Sequence, residues 1–216
     1  ASVLVGDFLY SRAFQMMVAV GKPRVMEIMA ETTNSIAQGE VMQLLNSHNP
    51  EITEPDYLET IKRKTARLFE SSARLGAVVA EAGPATEQAL GEYGLNLGIA
   101  FQMIDDALDY SATAEQMGKN TGDDLSDGKT TLPLIYALDQ CSSDEQDIIS
   151  ESISEGKRDD LDQIKQIIES TGALAYTSDQ AKKHAAIARQ SLDGLPVSEY
   201  RTALAQLADF SVSRTF

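Results

Sequence analysis

The sequence has no tryptophan, one cysteine (Cys141) and two histidines (His48 and His184) among 216 residues. A lone cysteine closes no internal disulfide, which fits a reducing compartment and leaves stability to a packed core. The histidines lack metal-ligand spacing and form no serine–histidine or cysteine–histidine pair, so both read as surface residues and Cys141 as a structural thiol. Basic residues are scarce: 18 Lys and Arg face 33 Asp and Glu, a net charge of −15. The acidity is spread over both halves, and no basic stripe matches a phosphate backbone, which disfavours sequence-independent nucleic-acid binding. No apolar run is long enough to span a bilayer, and the first ten residues lack the basic region of a signal peptide. The expectation is a cytoplasmic protein with, at most, peripheral membrane contact.

Fourteen glycines and six prolines exclude collagen-like or linker-dominated chains. Period-two alternation is also missing, so no sheet is expected. What remains is helical periodicity almost throughout, in a single unit covering 1–216 with no internal boundary or repeat. The spacing predicts helices over 1–21, 23–47, 53–81, 85–111, 131–140, 143–154, 159–170, 173–192 and 198–214. Breaks fall at Gly21, His48-Asn49-Pro50, Gly83-Pro84, Gly156, Gly172 and Gly194-Leu195-Pro196. Thr53-Glu54-Pro55-Asp56 is a helix start with an N-cap and an early proline. Residues 112–130 form the one long polar loop, punctuated by Gly118, Gly122 and Gly128. The chain opens without a methionine and in mid-element, so an earlier segment is expected.

The segment from Phe101 to Tyr110 carries most information. At about 100° per residue, Gln102, Asp105, Asp106 and Asp109 share an arc of roughly 100°. Three like charges at a helix C-terminal end repel one another and oppose the helix dipole. A hard divalent cation is their natural partner, and Mg²⁺ commonly shares such carboxylates with substrate phosphates. The plainer alternative is a solvated acidic helix end.

In the third predicted helix, Tyr57, Ile61, Leu68, Leu75 and Val79 mark an apolar face, and Lys64 falls on it with Thr65 beside it. An inward lysine needs a partner for its ammonium; the alternative is a stem lying along the surface with its head in solvent. The 112–130 loop adds Lys119 and Lys129 directly after the carboxylate helix, with glycines that let backbone approach a ligand. Read alone, that loop is equally an ordinary surface segment. Together, three carboxylates, an inward lysine and a Lys/Gly loop describe a site for a metal-bridged diphosphate.

At these residues the chain resembles the trans-type polyprenyl diphosphate synthases. The resemblance runs through Gly6-Asp7-Phe8-Leu9, Gly39-Glu40, Lys64-Thr65-Ala66, Phe101-Gln102, Asp105-Asp106-Ala107-Leu108-Asp109-Tyr110, Gly118-Lys119, Asp124, Gly128-Lys129 and Thr131-Leu132-Pro133. It closes with Leu195-Pro196, Tyr200-Arg201 and Leu207-Ala208-Asp209-Phe210. Within that family it is most similar to the long-chain bacterial enzymes of the octaprenyl type. The resemblance implies an all-α bundle of long, mostly antiparallel helices around a deep central cavity, usually homodimeric. It implies repeated head-to-tail condensation of isopentenyl diphosphate onto an allylic diphosphate such as farnesyl diphosphate, for quinone side chains. It implies Mg²⁺ held by Asp105, Asp106 and Asp109, diphosphate held by Lys64, Lys119 and Lys129, and Thr65 and Gln102 near the developing carbocation. The family's first Asp-rich motif, its isopentenyl diphosphate site and its usual determinants of product length lie upstream of the segment matching Ala1. The chain alone is therefore expected to be inactive. Two other readings stay open: a non-catalytic helical subunit of a heteromeric synthase, and a class I terpene cyclase.

Overall fold

A computed structural model describes residues 1–111 and 122–213. Among the described residues there are helices and no strands. The helices are α1 (Ser2–Ala19), α2 (Pro23–Asn46), α3 (Glu54–Ile61), α4 (Arg67–Val79), α5 (Pro84–Ser111), α6 (Asp123–Ser126), α7 (Leu132–Gln140), α8 (Ser143–Glu155), α9 (Leu161–Ser170), α10 (Ala173–Ser191) and α11 (Glu199–Ser213). Sequence punctuation explains most boundaries. Thr53 and Asp56 form a reciprocal capping box at α3, as do Ser142 and Glu145 at α8. Gly156 and Gly172 take the left-handed conformation at the breaks they mark.

The long α5 is the axis of the fold and packs chiefly on α4 and α10. Its buried face carries Tyr93, Leu97, Ile99, Met103 and Ile104. Two apolar clusters form along it: Tyr93 and Leu97 with Leu192 and Ala208 at one end, and Met103 and Ile104 with Tyr57, Ile61, Leu132 and Ala181 at the other. A third, built from Leu125, Leu134, Ile149, Ile153, Ile164 and Ile168, fills the space under α7, α8 and α9.

The predicted third helix is not uniform. Lys62–Ala66 forms a π turn between α3 and α4. A π turn admits an extra residue and so rotates everything after it by one position. Tyr57 and Ile61 are buried, as periodicity requires, but Leu68 (45% exposed) and Val79 (52% exposed) turn outward. Ala66, Glu70 and Ala77 take the inward face instead.

On α2, Val25 is buried, Met29 and Ile36 are half-buried, and Leu44 is 76% exposed. The side of α2 carrying Leu44 is left uncovered by the other described elements. α1 buries no residue at all and exposes Leu4, Phe8 and Leu9.

Candidate active site

A cleft lies between α2, α3, the π turn, α5 and the 124–131 segment, with about 720 Å³ of space that includes open solvent. Gln43, Tyr57, Lys64, Thr65, Gln102, Asp105, Asp106, Asp124 and Lys129 line it.

Close helix packing sets one wall. A Cβ on Gly39 of α2 would lie 2.5 Å from the Lys64 backbone nitrogen, and one on Gly98 of α5 would lie 2.6 Å from the Ala66 Cα. Only glycine lets both helices approach the π turn this closely. The wide turn then presents Lys64 and Thr65 together on the cleft. The Lys64 ammonium donates to Gln43 Oε1 at 2.7 Å and pairs with Glu40 Oε2 at 3.1 Å, both from α2. It therefore does not rest against the aspartates, although it opens onto the same space.

A hydrogen-bonded chain sets the other wall. Thr65 Oγ1 donates to Gln102 Oε1 (2.9 Å), Gln102 Nε2 donates to Asp106 Oδ1 (2.8 Å), and Tyr57 Oη donates to Asp106 Oδ2 (2.6 Å). Asp106 is 3% exposed. Burial, then the nearby charge of Asp124, pushes its pKa up to about 7 against the lowering effect of its two donors. Burial and the Asp106 charge also hold the Tyr57 phenol well above its ordinary pKa, so it remains a donor. Asp105, one residue earlier, is exposed and faces the cleft.

Lys129 completes the cleft. It donates to Asp124 Oδ1 and pairs with Asp127 Oδ2, each at 2.9 Å. Burial works against its charge, but these hydrogen bonds outweigh burial and raise its pKa. Lys119 lies outside the described residues, as do Gly118 and most of the preceding loop.

Asp109 goes elsewhere. It is 7% exposed, does not line the cleft, and accepts the backbone N–H groups of Asp123 (3.3 Å) and Asp124 (3.1 Å) at the start of α6. The shared helical arc placed it with Asp105 and Asp106. It lies one turn further along, beneath the returning chain, where backbone donors claim it. No group of three or more acidic, histidine or cysteine side chains among the described residues forms a ready-made cation cage. The donor set nonetheless suits a hard cation. Asp105 and Asp106 both line the cleft, Asp105 exposed and Asp106 buried with its two oxygens accepting from Tyr57 and Gln102. Two carboxylates with the rest of the shell left to water and phosphate is the usual manner of Mg²⁺.

Sequence reading passed over Tyr57, Gln43 and Glu40 as members of the site. Tyr57 sits seven residues, two helical turns, before Lys64, and that spacing was a usable signal. Of the two histidines read as surface residues, His48 is exposed as expected and only His184 needs correction. His48 donates its backbone N–H to Gly128 O at 2.8 Å and places its ring 3.1 Å from Ile153 O. His184 is half-buried, 2.8 Å from Asn96 Oδ1, and burial followed by the charge of Lys62 lowers its pKa. Both are held by the fold.

The all-α fold brings carboxylates and lysines from separate helices together on one cleft. The pattern of the polyprenyl synthetase family matches residues 1–171, and the chain belongs to that family. It is 45% identical over 217 residues to octaprenyl diphosphate synthase of Haemophilus influenzae, covering 100% of this chain and 66% of that one. It is 46% identical to octaprenyl diphosphate synthase of Escherichia coli, covering 99% and 67%. Among solved structures, polyprenyl synthase of Caulobacter crescentus, complexed with calcium and isoprenyl diphosphate, superposes with a TM-score of 0.94 at 44% identity, covering 99% of this chain and 66% of that one. The chain thus spans about two thirds of the length of these relatives. No described helix is long and apolar enough to cross a membrane.

Proposed function

We propose that the protein is a Mg²⁺-dependent trans-prenyltransferase that condenses isopentenyl diphosphate, repeatedly and head to tail, onto an allylic diphosphate such as farnesyl diphosphate. The product is a long all-trans polyprenyl diphosphate of the octaprenyl class, for quinone side chains. The observation that carries this reading is the convergence of Asp105, Asp106, Lys64 and Lys129 on one cleft. The octaprenyl synthases among its relatives, and the calcium and isoprenyl diphosphate in a related structure, support it.

In this reading Asp105 and Asp106 hold the metal, which supplies positive charge to the departing diphosphate. Lys64 and Lys129 hold the allylic diphosphate, and Lys119 matches a third basic group. As the C–O bond breaks, both ammonium groups stabilise negative charge where it develops. For Lys64 this means exchanging Glu40 for phosphate. Thr65 and Gln102 present oxygens near the allylic cation, and the bonds from Thr65 to Gln102 and from Gln102 to Asp106 fix their orientation. Ile52, Ile61 and the Tyr57 ring line the cleft and limit water that would quench the cation. The double bond of isopentenyl diphosphate attacks, and the proton lost from the new chain leaves to the departed diphosphate. The exposed apolar side chains of α1 and α2 support a homodimer.

The decisive assay gives the full-length protein farnesyl diphosphate, isopentenyl diphosphate and Mg²⁺. Linear polyprenyl diphosphates are expected. A cyclic hydrocarbon would replace this reading with a cyclase, and no product with a competent Mg²⁺ supply would end it in favour of a non-catalytic subunit.

A further inference from the structure

Asp109 belongs to the acidic motif by sequence but not to the cleft by position. Each of its carboxylate oxygens accepts a backbone N–H, from Asp123 and Asp124, and its own carbonyl accepts the N–H of Gly122 at 3.1 Å. The last turn of α5 is in this way tied to the first turn of α6. From that turn, Asp124 reaches the cleft and holds Lys129. The Lys129 N–H also donates to Asp124 O at 2.9 Å, closing the segment on itself. From outside, the Arg158 guanidinium pairs with Asp123 and donates to Ser126 Oγ at 3.0 Å. Gly122, left-handed at φ 76°, seats the turn against Leu161. A four-residue helix has little stability of its own, so its place depends on these ties. Of the cleft-facing charges, Lys129 and Asp124 are the ones delivered by this turn.

We propose that Asp109 is a positioning residue: its carboxylate anchors the backbone of α6, and so places Asp124 and Lys129 in the cleft, in place of binding the metal. A buried carboxylate whose two oxygens each accept a backbone N–H ties the first turn of α6 to the end of α5. The same engagement directs its oxygens away from the cleft. For its catalytic consequence the inference rests on the function proposed above; the anchoring does not.

The test uses the full-length protein, stripped of metal, and its Asp109→Asn variant. Amide hydrogen exchange is followed at Asp123 and Asp124. Anchoring predicts exchange faster by about tenfold or more in the variant, the scale of losing charge-assisted hydrogen bonds. It also predicts that affinity for Mg²⁺ with inorganic pyrophosphate, measured by calorimetry, falls less than in Asp105→Asn. Unchanged exchange in the metal-free variant, with a loss of Mg²⁺ affinity equal to that of Asp105→Asn, would overturn the inference. Should Asp109→Asn fail to fold, the unsubstituted protein still decides. On addition of Mg²⁺ and pyrophosphate, the carboxylate ¹³C resonance of Asp105 should move and that of Asp109 should not; equal movement of both refutes anchoring. Failure of the unsubstituted protein to bind Mg²⁺ with pyrophosphate would sink the proposed function, while the exchange result would still judge the anchor.

Discussion

On the wall formed by α2 and the π turn, Lys64 and Thr65 are delivered by backbone shape: a wide turn, pinched between Gly39 and Gly98, puts two adjacent residues on one side. On the wall formed by α5 and α6, Asp106 is fixed by Tyr57 and Gln102, and Asp124 through Asp109. There the delivery is by hydrogen bonds to charge. The contrast teaches where each wall is vulnerable. The first should fail when a methyl group is added, the second when an oxygen or a proton is changed.

The largest effect should come from the charges themselves, one from each wall. Lys64→Ala and Asp105→Ala should each lower turnover about 10²- to 10³-fold, some 3–4 kcal/mol of transition-state stabilisation. Circular dichroism should show helix content unchanged, and near-normal turnover in both variants would remove the roles proposed for them.

Next comes the proton on the second wall. The pKa of Asp106 in the folded chain, about 7, lies above its ordinary value of 3.8. Folding therefore favours its neutral form, and that stabilisation is complete below about pH 4 and lost as pH rises through about 7. Denaturant melts of metal-free protein should show a loss on the order of 2–4 kcal/mol across this window. Asp106→Asn should flatten the profile; an unaltered slope would assign the titration to another group.

The first wall is sharpened by Gly39→Ala. The added methyl meets the Lys64 backbone and should cost about 1–3 kcal/mol in stability, as overpacking does. Displacing Lys64 should also raise the KM for the allylic diphosphate. A variant with unchanged melting temperature and KM would show that the π turn yields without consequence.

Tyr57→Phe is the mildest. Loss of one donor to a buried carboxylate should cost about 1–2 kcal/mol. Because that donor lowers the Asp106 pKa, its removal should move the pH midpoint upward. A midpoint moving down would contradict the bond's assigned direction.

Much of this architecture was legible in advance. Proline and glycine punctuation located the helix ends, because proline fixes φ and glycine takes positive φ freely, whatever surrounds them. The charged motifs announced the site because like charges at helical spacing need an explanation. The π turn was not legible. Nothing in Lys62-Arg63-Lys64-Thr65-Ala66 disfavours an ordinary α-helix, and the extra residue is stabilised by neighbours that pack on it. Leu68 and Val79 were misplaced for that reason. The bonds from the α6 backbone to Asp109 were not legible either, because a helical wheel gives direction around an axis and says nothing of which element lies opposite.

The sequence by itself determined the helices and the residue types gathered on the cleft, since periodicity, turn residues and charge act locally. Tertiary structure alone decided which of three neighbouring aspartates line the cleft and which accepts backbone N–H groups. The physical reason is that a carboxylate goes to the strongest donors within reach, and those donors come from a segment fourteen and fifteen residues away in the chain.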